Sequence, residues 1–221
     1  MRKIARLAIV PVIAAGLCSC GAARKVAEDA PFRKDVVLFD PVSRIDVIGQ
    51  QKQRERSEIV SADAQNLLRD ILCTFDSGVE ISTIYVPEEL EEAFELQDDI
   101  VALGQWYMET DGEDLNYITI PETLDRIIEE SGHRYGLAVY SVGYSRTGGN
   151  YALEIAKSIG LGILTGWVSA PYKDETHIFL MILDSDTDRI IYNRHCFGEY
   201  NPLKEKHIQK ALKRTFSDFT R

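Results

Sequence analysis

Several residue sets in this 221-residue chain have types and spacings that suggest chemistry. Gly160, Gly162 and Gly166, within GGNYALEIAKSIGLGILTGWVSAPY, form G-x-G-x-x-x-G. A phosphate-binding loop needs its glycines at a strand-to-helix turn, where backbone N–H groups and the helix N-terminus face the anion. Here they follow a helix-like segment, Tyr151–Ile159; no Lys-Ser/Thr pair comes after them, and the GxGxxG spacing is not met. Asp184, Asp186 and Asp188 imitate the first half of a calcium loop. An EF-hand wants Gly at its sixth position and Glu at its twelfth, and this chain has Arg189 and His195 there, so a polar hairpin turn is expected. Gly143-Tyr-Ser145-Arg-Thr-Gly148 approaches a nucleophile elbow only loosely, with Thr147 in place of the second glycine. His133, His177, His195 and His207 lack an H-E-x-x-H or C-x-x-C partner. His177 and His195 fall on strands expected to be neighbours, and read as sheet residues rather than metal ligands. No catalytic residue, metal or cofactor is expected from these patterns.

The first residues carry a different chemistry. Arg2, Lys3 and Arg6 form a positive region, and Leu7–Leu17 is an apolar run of signal-peptide length, too short to span a bilayer. Leu17-Cys18-Ser19-Cys20 follows and resembles the bacterial lipobox, with Leu17 at −3, small Ser19 at −1 and Cys20 as the residue that receives the lipid. The resemblance implies a signal peptide over 1–19 and diacylglycerol on the Cys20 sulfur together with an N-acyl chain, which anchors a protein stably where a single chain does not. Gly21 follows the anchor with no acidic residue beside it, which by likeness to other diderm lipoproteins favours the outer membrane, facing the periplasm. Residues 20–31 would then be lipidated cysteine and tether, and 32–221 one domain of a size that supports a proper core.

The formal net charge is −10, and removing 1–19 would take away three cations and no acid. That argues against nucleic acid or an anionic lipid surface as partner, since both need a basic patch. Apart from Cys18 and Cys20 the cysteines are Cys73 and Cys196. An oxidising periplasm would allow them to pair, yet each sits in an apolar run where a buried thiol is ordinary.

The elements follow from periodicity. Asp35–Ile48 reads as a strand, a Pro break and a second extended piece; Gln50–Ser57 as a solvated loop. A helix is expected from an N-cap at Ser61 through Leu67, Leu68, Ile71, Leu72 and Phe75. Val79–Val86 is a strand, and Pro87-Glu88-Glu89 opens a helix with Leu90, Phe94, Ile100, Leu103 and Tyr107 as its apolar stripe. The acids of Glu88–Asp99 form its wet face. Pro121-Glu122 opens another helix, closed by Gly132. Tyr135–Tyr144, His177–Leu183 and Arg189–Phe197 are strands, the middle one apolar enough to be buried on both faces. Pro202–Phe219 is a closing amphipathic helix. The whole predicts an α/β (α+β) fold: a mixed sheet packed by helices in a two- or three-layer sandwich.

Between two core strands lies the glycine stretch. Ile159–Pro171 is thirteen residues, short of the roughly twenty a membrane-spanning helix needs. It is nonetheless unusually apolar for a connector, and small residues at this spacing admit another backbone closely. Ile159, Gly160, Gly162, Ile163, Leu164, Gly166 and Trp167 are therefore the expected contact surface, facing the domain's own core, a sister subunit or a membrane.

Tyr135–Phe219, through the strand YGLAVYSVGY, the hairpin HIFLMILDSDTDRIIYNR with Asp184, Asp188 and Tyr192, and the closing helix, resembles the envelope lipoproteins of TolB N-terminal-like fold. That group includes the curli secretion lipoprotein. The likeness implies a TolB N-terminal-like sandwich and a non-catalytic accessory or scaffold role, often in an oligomer. It does not imply a secretion pore, because one short hairpin replaces the two long ones of the curli protein. The expectation is a protein that works by contact with an envelope partner or with itself. The competing classes are an envelope hydrolase and a small-ligand binding module.

Overall fold

The computed structural model describes residues 30–110, 118–165 and 171–219. Its centre is one seven-stranded mixed sheet. The first two strands, β1 (Val36–Phe39) and β2 (Val42–Ile48), are consecutive pieces of one line, broken at Asp40-Pro41 where proline supplies no N–H to a ladder. Both run parallel to β5 (Tyr135–Arg146): β1 lies beside its first residues, from Val36↔Tyr135, and β2 beside its last, from Val42↔Tyr140 to Ile48↔Arg146. On the far side of this line, β4 (Ile81–Tyr85) pairs parallel with β1, and β3 (Arg54–Arg56) antiparallel with the end of β2. Beyond β5 come β6 (Asp174–Asp184) and β7 (Arg189–Gly198), each antiparallel to its predecessor.

The side-chain period of two divides this sheet between two cores. Val36, Leu38, Leu137, Val139, Ile178, Leu180 and Ile182 face α1 (Glu58–Thr74) and α5 (Glu205–Thr215). Val37, Phe39, Ala138, Tyr140, Phe179, Met181 and Leu183 face α2 (Leu90–Thr110) and α3 (Glu122–Glu130). The result is three layers, and it explains the continuous hydrophobicity of β1, β5 and β6: strands covered on both faces need apolar residues at every position. The expected α/β class is thus what the chain forms. Gly132, with φ of +74°, closes α3 as its sequence position indicated.

Four expectations change. Gln50–Ser57 is not all loop: Arg54–Arg56 forms an exposed edge strand because Asp46, opposite, accepts from Arg54 Nε at 2.6 Å and Arg56 Nε at 2.9 Å. Helix α1 begins earlier than expected, with Ser57 accepting from the Val60 N–H, while Ser61 is buried and its Oγ receives the Ile45 N–H at 2.9 Å. On α2 the buried side is Leu96, Ile100, Val101, Leu103 and Tyr107, and the expected stripe members Leu90 and Phe94 are exposed. Cys73, expected as a buried thiol, is exposed on α1, while Cys196 is buried under α5 as expected; both are free, so the pairing that a periplasm would allow is not made.

Candidate contact surface and the histidine array

The largest revision falls on the glycine stretch. Helix α4 spans Gly148–Thr165, so Gly160 and Gly162 lie inside a helix and not in a connector between strands. The helix-like segment Tyr151–Ile159 therefore continues to Thr165 through Gly160 and Gly162, each of which lowers helix propensity by about 1 kcal/mol and so hides the continuation. Gly166 and Trp167 lie outside the described residues, as do Leu17, Ser19 and Cys20.

The root of α4 is fixed by a dense set of bonds. Thr147 donates its N–H to the Ile48 carbonyl at 3.1 Å and accepts from the Asn150 N–H at 3.4 Å. Asn150 is fully buried; its Nδ2 donates to the Gly49 carbonyl and its Oδ1 accepts from Arg146, each at 2.9 Å. Arg146 also donates to the Tyr172 carbonyl at 2.9 Å and lies over the Tyr144 ring, 5.3 Å from its centroid. One turn on, Glu154 meets Lys157 at 3.2 Å and Lys52 at 3.3 Å. Those two cations hold its carboxyl below the usual range.

Past that root the helix leaves the body. Leu153, Ile159 and Leu161 are 43%, 50% and 61% exposed, and Ala152 and Ala156 are exposed as well. Among the described residues, none of the α4 side chains from Tyr151 to Ile159 joins either core cluster. An apolar helix that is rooted at a buried asparagine and exposes Leu153, Ile159 and Leu161 has the form of a contact element. Of the described helices, none is long and apolar enough to cross a membrane.

The structure brings His177 and His195 together, as neighbouring strands allow. His177 Nδ1 and His195 Nε2 are 3.1 Å apart, and His177 Nε2 lies 3.2 Å from Glu175 Oε1. The two rings are 12° from parallel with centroids 5.2 Å apart, the geometry of an in-plane bond between imidazoles with a single proton on its line. His195 stacks on Phe179 at 4.3 Å and meets Tyr107 edge-on. Burial there, with His177 beside it, pushes the His195 imidazole down to about 4. One proton on that line means that the two rings cannot both be charged, because two imidazoliums would set N–H groups against each other. Among the described residues no group of three or more His, Cys, Asp or Glu is placed to hold a metal ion.

The remaining sequence candidates are structural. Asp184 is 3% exposed and takes both Nε and Nη2 of Arg134, at 2.8 and 2.9 Å; Asp188, at φ of 52°, accepts the Ile120 N–H at 3.1 Å. Both carboxylates thus fix the β6–β7 turn, which is the polar hairpin expected. Ser145 lies within β5 and donates to Asp174 at 2.5 Å, with Asn201 completing that carboxylate. It stands in a ladder and not on an elbow.

No family model matches the chain, and no curated protein does. Solved structures similar to it include a PelC dodecamer from Paraburkholderia phytofirmans, 9% identical, with a TM-score of 0.38 over 89% of this chain and 94% of that one. The C-terminal domain of LpoB from Salmonella enterica is 11% identical, with a TM-score of 0.30 over 74% of this chain and 82% of that one. Scores of this size carry no argument about function, and the TolB N-terminal-like likeness of Tyr135–Phe219 rests on its residue pattern.

Proposed function

We propose that this chain is a lipid-anchored accessory or scaffold protein of the cell envelope, held at Cys20 on the periplasmic face of the outer membrane, that acts by contact and not by catalysis. The contact element is α4 and its partner is a second copy of the chain. The observation that carries the reading is the exposure of Leu153, Ile159 and Leu161 on a helix whose root is locked by Asn150 and Arg146. Ala152, Ala156 and Gly160 recur at i, i+4 and i+8 along it, and small residues so spaced let a sister helix approach backbone to backbone. Anchoring every copy to one membrane raises their effective concentration, so a modest helix–helix affinity suffices.

Light scattering on the chain without residues 1–20 tests the contact. The wild type should show a mass above that of one chain, and Ile159→Asp with Leu161→Asp, both at exposed positions, should return it to a monomer with an unchanged circular dichroism spectrum. A monomeric wild type across the concentration range would sink the self-association. Separately, Cys20→Ser should move the protein from the membrane to the soluble fraction, and a variant that stays in the membrane fraction would count against the anchor.

A further inference from the structure

The outer side of the β1–β2 line is covered at both ends and open in the middle. β4 ends opposite Phe39, with the Asp40 N–H donating to the Tyr85 carbonyl at 2.9 Å. β3 begins its pairing at Asp46. Between them Pro41–Arg44 has, among the described residues, no strand beside it on this side, a stretch of about 13 Å at the usual rise of a strand. A groove of about 490 Å³ occupies that place, with Ser43, Arg44, Arg56, Gln65, Phe94 and Asp98 in its lining. It lies at the sheet edge between α1 on one face and α2 on the other.

Strand alternation determines what the edge offers. The Ile45 carbonyl accepts from the Ser57 N–H at 3.1 Å, and its N–H donates to Ser61 Oγ, so the backbone groups of Ile45 point away from β5. Two residues earlier, the N–H and carbonyl of Ser43 take the same direction, toward the groove. Ser43 is 5% exposed, and its Oγ is buried without a hydrogen-bond partner in the described structure.

The walls say which partner. The two cations are already engaged, Arg44 with Asp98 at 3.3 Å and Arg56 with Asp46 at 2.9 Å, and Glu58 adds a further acid, so an anion finds no free counter-charge. Phe94, in the groove's lining, is 58% exposed and stands ready for an apolar side chain. An open strand edge, amide-bearing walls and an apolar rim are the features that β-strand addition uses. We propose that the groove takes a short extended peptide segment of a partner protein, which pairs with Ser43 and fills the row between β4 and β3. This site is independent of α4 and of the self-association assigned to it.

The test is NMR titration of the chain without residues 1–20, using the capped peptide acetyl-Val-Thr-Val-Thr-Val-amide as probe. Shifts should concentrate at Ser43, Arg44, Gln65 and Phe94, and the same peptide N-methylated at its central valine should bind at least tenfold more weakly. Ala62→Lys, an exposed substitution on the α1 wall, should likewise weaken binding at least tenfold while leaving the spectrum elsewhere unchanged. A chito-oligosaccharide serves as the second arm. No shift with the peptide at millimolar concentration, equal binding of the N-methylated peptide, or binding of the oligosaccharide alone would each overturn the proposal.

Discussion

Acid should destabilise this protein through His195, by an amount that can be worked out. The imidazole is held between Phe179, Tyr107 and His177, and its pKa falls from 6.5 to about 4. That difference is worth about 3 kcal/mol between the two protonation states. The sign follows from which state takes the proton. Above pH 6.5 the ring is neutral in both folded and unfolded chains, and stability is complete. As pH falls below 6.5 the unfolded chain binds a proton that the fold refuses, so stability drops by about 1.4 kcal/mol per pH unit until pH nears 4. The perturbation is His195→Gln, which keeps a hydrogen-bonding group toward His177 and cannot titrate. Urea unfolding followed by circular dichroism at pH 7.5, 6, 5 and 4.5 gives the two profiles. The wild type should lose about 3 kcal/mol more than the variant across this range, even if the variant is less stable at pH 7.5 through loss of the ring stack. Parallel profiles would refute the reasoning, because they would mean that His195 titrates in the fold as it does in the unfolded chain.

Other consequences are more local. A Cβ at Gly143 would lie 2.1 Å from the Glu175 carbonyl oxygen, inside the β5–β6 ladder, so Gly143→Ala should cost about 1–3 kcal/mol in urea unfolding. Asp218 is 3% exposed and accepts from Arg194 Nη1 at 3.1 Å and from the Tyr192 hydroxyl at 2.8 Å. Removing it in Asp218→Ala leaves a buried guanidinium short of its partner, an expected loss of about 3–5 kcal/mol by thermal or urea unfolding. In a chain with Cys18 and Cys20 replaced, a thiol reagent should modify Cys73 at once and Cys196 only on unfolding; two slow thiols, or none, would contradict the free pair described here.

Much of this architecture is legible in the sequence because local signals and burial agree. The runs at Val36, Tyr135 and His177 are apolar at successive positions since helices cover both faces of their strands. Pro121 and Gly132 delimit α3 through backbone chemistry that acts within a few residues. What escapes the sequence depends on distant partners. Arg54–Arg56 carries no strand signal and pairs because Asp46 stands opposite. Ser61 has the type of a helix cap, yet is drawn inward by Ile45. Leu90 and Phe94 keep the spacing of a buried stripe but are exposed, and Phe94 lies where α2 overhangs an open sheet edge, a position set by the row order of strands that are far apart in the chain. The proximity of His177 and His195 follows from strand adjacency, whereas the direction of the bond between them depends on Glu175 and on the rings that hold them. As for α4, its first part, Tyr151–Ile159, is legible as helix-like, its glycines suppress the signal beyond that, and the exposure of Leu153, Ile159 and Leu161 is visible only once the two cores are closed without them.

The measurement closest to the central claim is photo-crosslinking in the native envelope. A photoreactive residue replacing Leu161 in the full-length lipidated chain should yield, on irradiation, a covalent product of twice the chain's mass. The same residue replacing Ile59, an apolar position 77% exposed at the start of α1, should not. Absence of that product from position 161, or its equal formation from position 59, would contradict the assignment of α4 as the surface through which two copies meet.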